Sequence, residues 1–204
     1  ALHKLLADQR YTRWMSRDNI VDVIVPHVDE GPALDTSRAV KDIRFCETVA
    51  EILPRLLALR TAATPTFTWT LPQDIHISAI TREGATSIDG GDYGAFYAPY
   101  ASRLKRIDGC FGQFVDGLKA AGLYDDSVVV LTADHGDSLG EEGRWGHAYT
   151  LFPEILQVPL VMHVPAWFAA THTADPQALG FTTDITPTLY AMLGRAPTPP
   201  APMF

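Results

Sequence analysis

The arrangement of apolar and polar residues along the chain predicts short strands separated by longer helices. Four segments are rich in β-branched and other apolar residues and are predicted strands: residues 19–26, 67–72, 128–133 and 159–165. These segments stay apolar without strict alternation, which is typical of strands in a sheet with both faces covered. The pattern therefore predicts central strands of a parallel or mixed sheet.

Two long segments have the apolar spacing of three or four residues that amphipathic helices show. The first covers residues 33–60, with Asp35 or Thr36 as its N-cap, and Pro54 predicts a kink or a junction between two helices. The second covers residues 97–123, is predicted to end at a glycine, and leads directly into the third strand.

A shorter helix is predicted within residues 182–194, with Asp184 or Thr186 as its cap, and residues 195–204 form a proline-rich tail. The order of helix, short turn and buried strand is typical of α/β folds. We therefore expect an α/β fold with a mixed, mostly parallel sheet flanked by helices. Ligands of such folds bind beyond the carboxyl ends of the strands.

Composition and charge limit the classes of partner. The chain has 204 residues, of which 47% are hydrophobic, so it can bury a substantial core. The formal net charge of −8 argues against a nucleic-acid partner, because binding to the phosphate backbone needs clustered Lys and Arg. No apolar run approaches the roughly 20 residues that cross a bilayer, so we expect no membrane span within this chain.

The two cysteines, Cys46 and Cys110, both fall within predicted helices. Two cysteines neither build a disulfide framework nor provide the C-x-x-C spacing of a metal site. We favour buried, small apolar side chains over a disulfide bridge. The redox compartment is therefore left open.

The segment "VVVLTADHGDSLGEEGRWGH" at residues 128–147 carries the candidate chemistry. Asp134 and His135 follow directly on a predicted buried strand, where side chains point into the ligand crevice of an α/β fold. A carboxylate beside an imidazole suits zinc or manganese better than calcium, which prefers oxygen ligands. The alternative is an ordinary strand end with a capped turn, since Asp and Gly are common turn residues.

Three segments together carry a family resemblance. The segment "LTADHGDSLGEEGRWGHAYTLFPEILQVPLVMHVP" resembles the C-terminal metal-binding segment of sulfatases, which belong to the alkaline phosphatase superfamily. The segment "WTLPQDIHIS" is similar to the family's strand that ends in Asp-x-His, and "FTTDITPTLYAMLG" to its late helix. These matches lie within residues 67–194 and keep the family's order.

The resemblance implies an alkaline-phosphatase-like fold and a set of site residues. Asp134 and His135 would bind one divalent metal ion, either calcium, zinc or manganese. His76 and His147 would contact the substrate's anionic group and act in catalysis, and Arg144 would line the substrate pocket. Structural alternatives stay open, because a histidine at a strand end is often satisfied by backbone groups and an arginine beside a tryptophan is often a surface packing pair.

The family's nucleophile has no counterpart in this sequence. Sulfatases carry a cysteine within C-x-P-x-R or C-x-A-x-R that is oxidised to formylglycine, and neither motif occurs here. The early acidic residues Asp22, Asp29 and Glu30 match the family's early metal ligands poorly. We therefore expect residues 1–194 to be the C-terminal portion of a catalytic domain that is incomplete without an N-terminal part. A degenerate relative without turnover is the alternative.

The predicted function is metal-dependent hydrolysis of a small sulfate ester. Formylglycine is expected only if a cysteine nucleophile lies upstream. One alternative is a phosphotransferase of the same scaffold that moves phosphoethanolamine or glycerol phosphate. A second alternative is a non-catalytic fragment. The sequence leaves open the substrate, the oligomeric state and the compartment, for which a periplasmic or membrane-attached location through an N-terminal segment is one option.

Overall fold

The computed structural model describes residues 2–16, 43–60, 64–76, 94–147, 150–173, 175 and 177–195. The α-helices in these ranges are α1 (Leu2–Asp8), α2 (Phe45–Leu59), α3 (Gly94–Ala120), α4 (Pro153–Leu156), α5 (Ala166–Ala169) and α6 (Ile185–Met192). The strands are β1 (Thr12–Met15), β2 (Thr66–Trp69), β3 (Val129–Thr132), β4 (Ser138–Leu139), β5 (Trp145–Gly146) and β6 (Leu160–His163). Two 3₁₀ helices, Glu141–Gly143 and Thr182–Asp184, complete the described elements. No described helix is long and apolar enough to cross a bilayer.

The described strands pair in three two-stranded sheets. Strands β1 and β2 are parallel, whereas β3 pairs with β6 and β4 with β5 in antiparallel fashion. The described residues contain both helices and strands, in an order that is interspersed without strict alternation, and the predicted α/β class is confirmed. The sheet content is mixed, but antiparallel pairing is more frequent in these ranges than the sequence predicts. An antiparallel strand can return without a crossover helix, which apolar runs do not reveal.

Three of the four predicted strands are found in the described residues. β2, β3 and β6 lie within or overlap the predicted segments 67–72, 128–133 and 159–165, whereas the predicted strand at residues 19–26 lies outside the described residues. Leu160 and Val161 of β6 are about half exposed. The prediction that both faces are covered is therefore wrong for β6 within the described chain.

Helix α2 begins later than its apolar spacing predicts. Arg44 precedes the helix in an extended conformation, with φ −115° and ψ 131°, so Ile43 and Arg44 are not helical. The predicted caps Asp35 and Thr36 lie outside the described residues. From Phe45 the helix continues through Pro54 as one element, so a junction between two helices is not found.

Helices α3 and α6 follow their predictions closely. α3 ends just before Gly122, whose φ of +66° is a conformation that glycine adopts without strain. Before α6, the carboxylate of Asp184 accepts a hydrogen bond of 2.9 Å from the backbone N–H of Phe181. Gly194 has a φ of +67° and ends the segment, and residues 196–204 of the predicted tail lie outside the described residues.

Helices α2 and α3 pack side by side, and a disulfide joins them. A side chain at Gly117 of α3 would overlap that of Leu53 of α2, so the glycine permits this close approach. Cys46 and Cys110 are bonded with their Cα atoms 5.3 Å apart. The prediction of two unbonded apolar cysteines is wrong, because the helix contact brings together two residues 64 positions apart in sequence.

Candidate active site

The first part of the site is the end of β3, where the chain leaves the strand at Asp134 and His135. The Nδ1 atom of His135 lies 3.0 Å from the carbonyl oxygen of Gly136, which can only accept a hydrogen bond. In the neutral imidazole Nδ1 therefore carries the proton, and Nε2 keeps its lone pair. This Nε2 atom lies 3.9 Å from Oδ2 of Asp134, and the Asp134 side chain is 64% exposed.

A short hairpin adds two further side chains to the site. Ser138 of β4 pairs with Gly146 of β5, so the residues that flank this pair stand opposite each other at the open end of the hairpin. These residues are Asp137 and His147. Oδ1 of Asp137 and Nδ1 of His147 lie 2.6 Å apart, and the Asp137 side chain is only 10% exposed.

Glycines give the hairpin its tight turn. Gly140 and Gly143 in the turn and Gly146 in β5 have φ values of +121°, +77° and +75°, a region in which other residues are strained. The turn lies between two strands of two residues each, so small changes in its backbone would shift their register. The contact between Asp137 and His147 therefore depends on these glycines.

Three histidine rings meet at this place. The ring centroids of His135 and His147 are 4.1 Å apart, and those of His76 and His147 are 5.6 Å apart. His135, Asp137 and His147 each offer one ligand atom, and these atoms lie within 4.8 Å of one another. Two imidazoles and a carboxylate are a donor set that fits a transition metal such as zinc or manganese.

His76 reaches the cluster from a turn after β2, not from the strand end that the sequence predicts. Burial, followed by the nearby His147, lowers the pKa of His76, whereas the charge of Asp137 opposes this shift. The neutral imidazole of His76 is therefore favoured. The turn is held by Asp74, whose carboxylate accepts a hydrogen bond of 2.7 Å from the backbone N–H of Phe45 and whose carbonyl accepts one of 2.8 Å from Arg103.

Replacing Asp74 by alanine is expected to lower the free energy of unfolding by about 2 kcal/mol. The residue is 3% exposed, so its loss removes a buried acceptor and leaves the first N–H of α2 unsatisfied. Urea unfolding followed by circular dichroism measures the change. Asp184→Ala is the matched control, because that carboxylate also accepts a backbone N–H but is exposed. An equal loss in both variants would contradict the prediction.

Tyr100 of α3 joins the surroundings of the site. Burial, followed by the negative charge of Asp137, raises the pKa of Tyr100. The phenol therefore lies within electrostatic reach of the cluster. The apolar spacing of the helix, to which Tyr100 belongs, does not indicate that Tyr100 lies near Asp137.

Arg144 is occupied by contacts within the protein. Its Nε and Nη2 atoms donate to Oε1 of Glu154 at 3.1 and 3.0 Å, Nη1 donates to Glu142, and the guanidinium lies 3.7 Å from the ring centroid of Phe152. The hydrogen bond with Glu142 is the largest cause that raises the pKa of Arg144. Arg144 also lines a cleft of about 290 Å³ beside the hairpin. Its substrate-binding role stays a prediction.

Comparison with known proteins assigns the chain to a family. The sequence model of the Sulfatase family matches residues 4–195, which is nearly the whole chain. The chain belongs to the sulfatase family. This confirms the resemblance that the Asp-His-Gly segment and its neighbours carry.

Curated relatives match parts of this sulfatase-family chain. The low-salt glycan biosynthesis sulfotransferase Agl7 of Haloferax volcanii is 34% identical over 47% of the chain and 24% of its own length. The choline-sulfatase of Rhizobium meliloti is 30% identical over 47% of the chain and 18% of its own length. The inner membrane protein YejM of Salmonella typhimurium is 33% identical over 56% of the chain and 18% of its own length. The matches thus span a quarter or less of these relatives.

Solved structures share the fold. The lipoteichoic acid synthase LtaP of Listeria monocytogenes superposes with a TM-score of 0.69 at 17% identity, over 96% of this chain and 52% of that chain. A protein of the alkaline phosphatase superfamily from Vibrio parahaemolyticus gives a TM-score of 0.62 at 15% identity, over 95% of this chain and 47% of that chain. The sulfatase-family chain therefore has an alkaline-phosphatase-like fold.

The structure brings four of the five predicted site residues of this sulfatase-family chain together. Asp134, His135, His76 and His147 converge at the end of β3, whereas Arg144 is turned to Glu154. The sequence prediction did not include Asp137 among the site residues. The signal that could have identified it is the run of glycines between Asp137 and His147, which is typical of a tight hairpin.

Proposed function

We propose that this chain is the metal-binding part of an enzyme that hydrolyses sulfate esters. The observation that supports the proposal is the convergence of two carboxylates and three imidazoles beyond β3 in a chain of the sulfatase family. Such a cluster of nitrogen and oxygen ligands beside a strand end is suited to an anionic ester held by a cation.

The ligands of the proposed cation are Asp134 and His135. Their Oδ2 and Nε2 atoms face each other at 3.9 Å, and the hydrogen bond from Nδ1 to Gly136 directs the free lone pair of His135 to that side. Asp137 and His147 form a second set with His135. When bound, the ion would polarise an ester oxygen and stabilise negative charge in the transition state. The mixed donor set favours zinc or manganese over calcium.

His76 and His147 are the proposed catalytic and substrate-binding side chains. Asp137 holds Nδ1 of His147, so Nε2 is the atom available to the ester oxygens or to a proton of the leaving alcohol. The neutral imidazole of His76, whose pKa burial lowers, would donate one hydrogen bond to a non-bridging oxygen.

We propose that the nucleophile comes from sequence outside these 204 residues. Neither sulfatase cysteine motif occurs in the chain, and the disulfide leaves neither Cys46 nor Cys110 as a free thiol. The matches also span a quarter or less of the curated relatives described above. A formylglycine cofactor follows only if that outside nucleophile is a cysteine.

A phosphotransferase is the second candidate, and the histidine-rich donor set favours it. Phosphoryl transfer also relies on an ion and on positioned donors, with little other chemistry required of the protein. The full-length protein should be assayed with a chromogenic aryl sulfate and with the matching aryl phosphodiester. If the phosphodiester is turned over faster than the aryl sulfate, the sulfatase proposal is wrong and the phosphotransferase proposal is favoured.

Cation binding tests the proposed site in the chain as it stands. Isothermal titration with Mn²⁺ is expected to show one site whose affinity falls at least tenfold in His135→Ala, because both ligand sets contain this residue. Asp134→Asn and Asp137→Asn distinguish the two ligand sets. A larger loss of Mn²⁺ affinity in Asp134→Asn supports the pair Asp134 and His135, and a larger loss in Asp137→Asn supports the set that contains Asp137 and His147. His172→Ala is the control, since His172 is exposed and stacks on Phe168. Equal affinity in the chain and in His135→Ala would refute the site.

A further inference from the structure

The carboxylate of Glu154, which lies outside the histidine cluster, accepts hydrogen bonds from residues on both sides of the hairpin turn. Oε1 of Glu154 accepts from the Ser138 hydroxyl at 2.8 Å and from Nε and Nη2 of Arg144 at 3.1 and 3.0 Å. Ser138 is buried, and the Glu154 side chain is 17% exposed. One carboxylate oxygen therefore holds β4 and the residue that precedes β5.

The same turn also holds the backbone before the hairpin. The N–H of Gly136 donates to the carbonyl oxygen of Ile155 at 2.8 Å, and Gly136 is in close contact with the backbone of Glu154. The chain is thus fixed to the α4 turn on both sides of Asp137, at Gly136 and at Ser138. Asp137 itself has no direct bond to Glu154, so any effect of Glu154 on the cluster passes through the hairpin.

The negative charge of Glu154 strengthens its hydrogen bonds to Ser138 and Arg144 near neutral pH. A hydrogen bond from its own backbone N–H, followed by those from Ser138 and Arg144, lowers the pKa of Glu154. The carboxylate is therefore ionised and accepts charge-assisted hydrogen bonds, which are stronger than neutral ones.

We propose that Glu154 is a positioning residue of the candidate site. It fixes the hairpin on the α4 turn and thereby sets the distance of 2.6 Å between Oδ1 of Asp137 and Nδ1 of His147. The inference rests on the proposed function only in using cation affinity as one readout. The second readout, the hydrogen bond between Asp137 and His147, does not depend on a metal.

The experiment compares Glu154→Gln with Glu142→Gln in the 204-residue chain. Both variants remove one negative charge that faces Arg144, but Glu142 is 82% exposed and lies in the hairpin turn. Mn²⁺ affinity is expected to fall about tenfold in Glu154→Gln and to change less than twofold in Glu142→Gln. A tenfold loss is at the low end of what is found when a group that orients a metal ligand is replaced. Measurement at 10 °C, with folding checked by circular dichroism, separates affinity from stability.

The imidazole N–H signal of His147 in a ¹⁵N-labelled sample gives the independent readout. In the parent chain and in Glu142→Gln we expect a downfield, exchange-protected Nδ1 proton, and in Glu154→Gln its loss or an upfield shift. Ser138→Ala serves if Glu154→Gln does not fold, because it removes one bond to Oε1 without removing a charge. An unchanged signal with unchanged affinity in the folded variant would overturn the inference. If the parent chain binds no Mn²⁺, the proposed function fails and this signal alone decides the role of Glu154.

Discussion

Gly136→Ala is expected to lower Mn²⁺ affinity more than tenfold and the free energy of unfolding by about 3 kcal/mol. A Cβ atom at this position would overlap the carbonyl oxygen of Glu154 and lie 3.2 Å from its carbonyl carbon. Backbone atoms cannot rotate away as a flexible side chain can, so the segment at residue 136 must move off the α4 turn. This movement would break the hydrogen bond to Ile155 and displace the adjacent Asp137.

Gly112→Ala is the matched control for this substitution. Gly112 lies within α3, and a Cβ atom there would meet nothing within 4 Å. Because alanine is the better helix former, this variant is expected to keep its cation affinity and to gain up to about 1 kcal/mol of stability. Titration calorimetry and urea unfolding measure both quantities. Gly136→Ala with the affinity and stability of the parent chain would show that the close contact is not needed.

Removal of the disulfide is expected to lower the free energy of unfolding by about 4 kcal/mol. Cys46 and Cys110 are 64 positions apart, so their bond closes a long loop and restricts the unfolded chain. Urea unfolding of the oxidised chain, with and without a reductant, gives the difference. The reduced chain should unfold at a clearly lower urea concentration.

The double variant Cys46→Ser and Cys110→Ser controls for other effects of the reductant. Its stability should equal that of the reduced parent chain within about 1 kcal/mol and should not change when reductant is added. A reductant effect in the double variant, or equal stability of the oxidised and reduced parent chain, would contradict the prediction.

The sequence predicted those elements, and the positions of those candidate residues, that depend on local pattern. α3, α6 and the strands β2, β3 and β6 follow from apolar spacing and glycine stops. The Asp-His-Gly motif directed attention to Asp134 and His135 because a carboxylate and an imidazole follow a strand end there, and their role as ligands stays a prediction. The conformation of these elements is determined mainly by residues that are close in sequence.

The missed features depend on contacts between distant parts of the chain. Helix α2 begins at Phe45 because its N–H is bonded to Asp74, 29 residues further on. The pairing of Cys46 with Cys110 depends on how α2 and α3 approach, which helical spacing does not specify. Asp137 meets His147 because Ser138 pairs with Gly146, a register that composition alone does not give.

The short hairpin has a consequence for the entropy of assembling the cluster. Of the five converging side chains, only that of His76 comes from outside residues 134–147. Bringing the other four together closes loops of about a dozen residues, and the entropy cost of loop closure grows only slowly with length. Apart from the α4 turn that holds the hairpin, substitutions in other elements can therefore accumulate in relatives without moving these four side chains against one another.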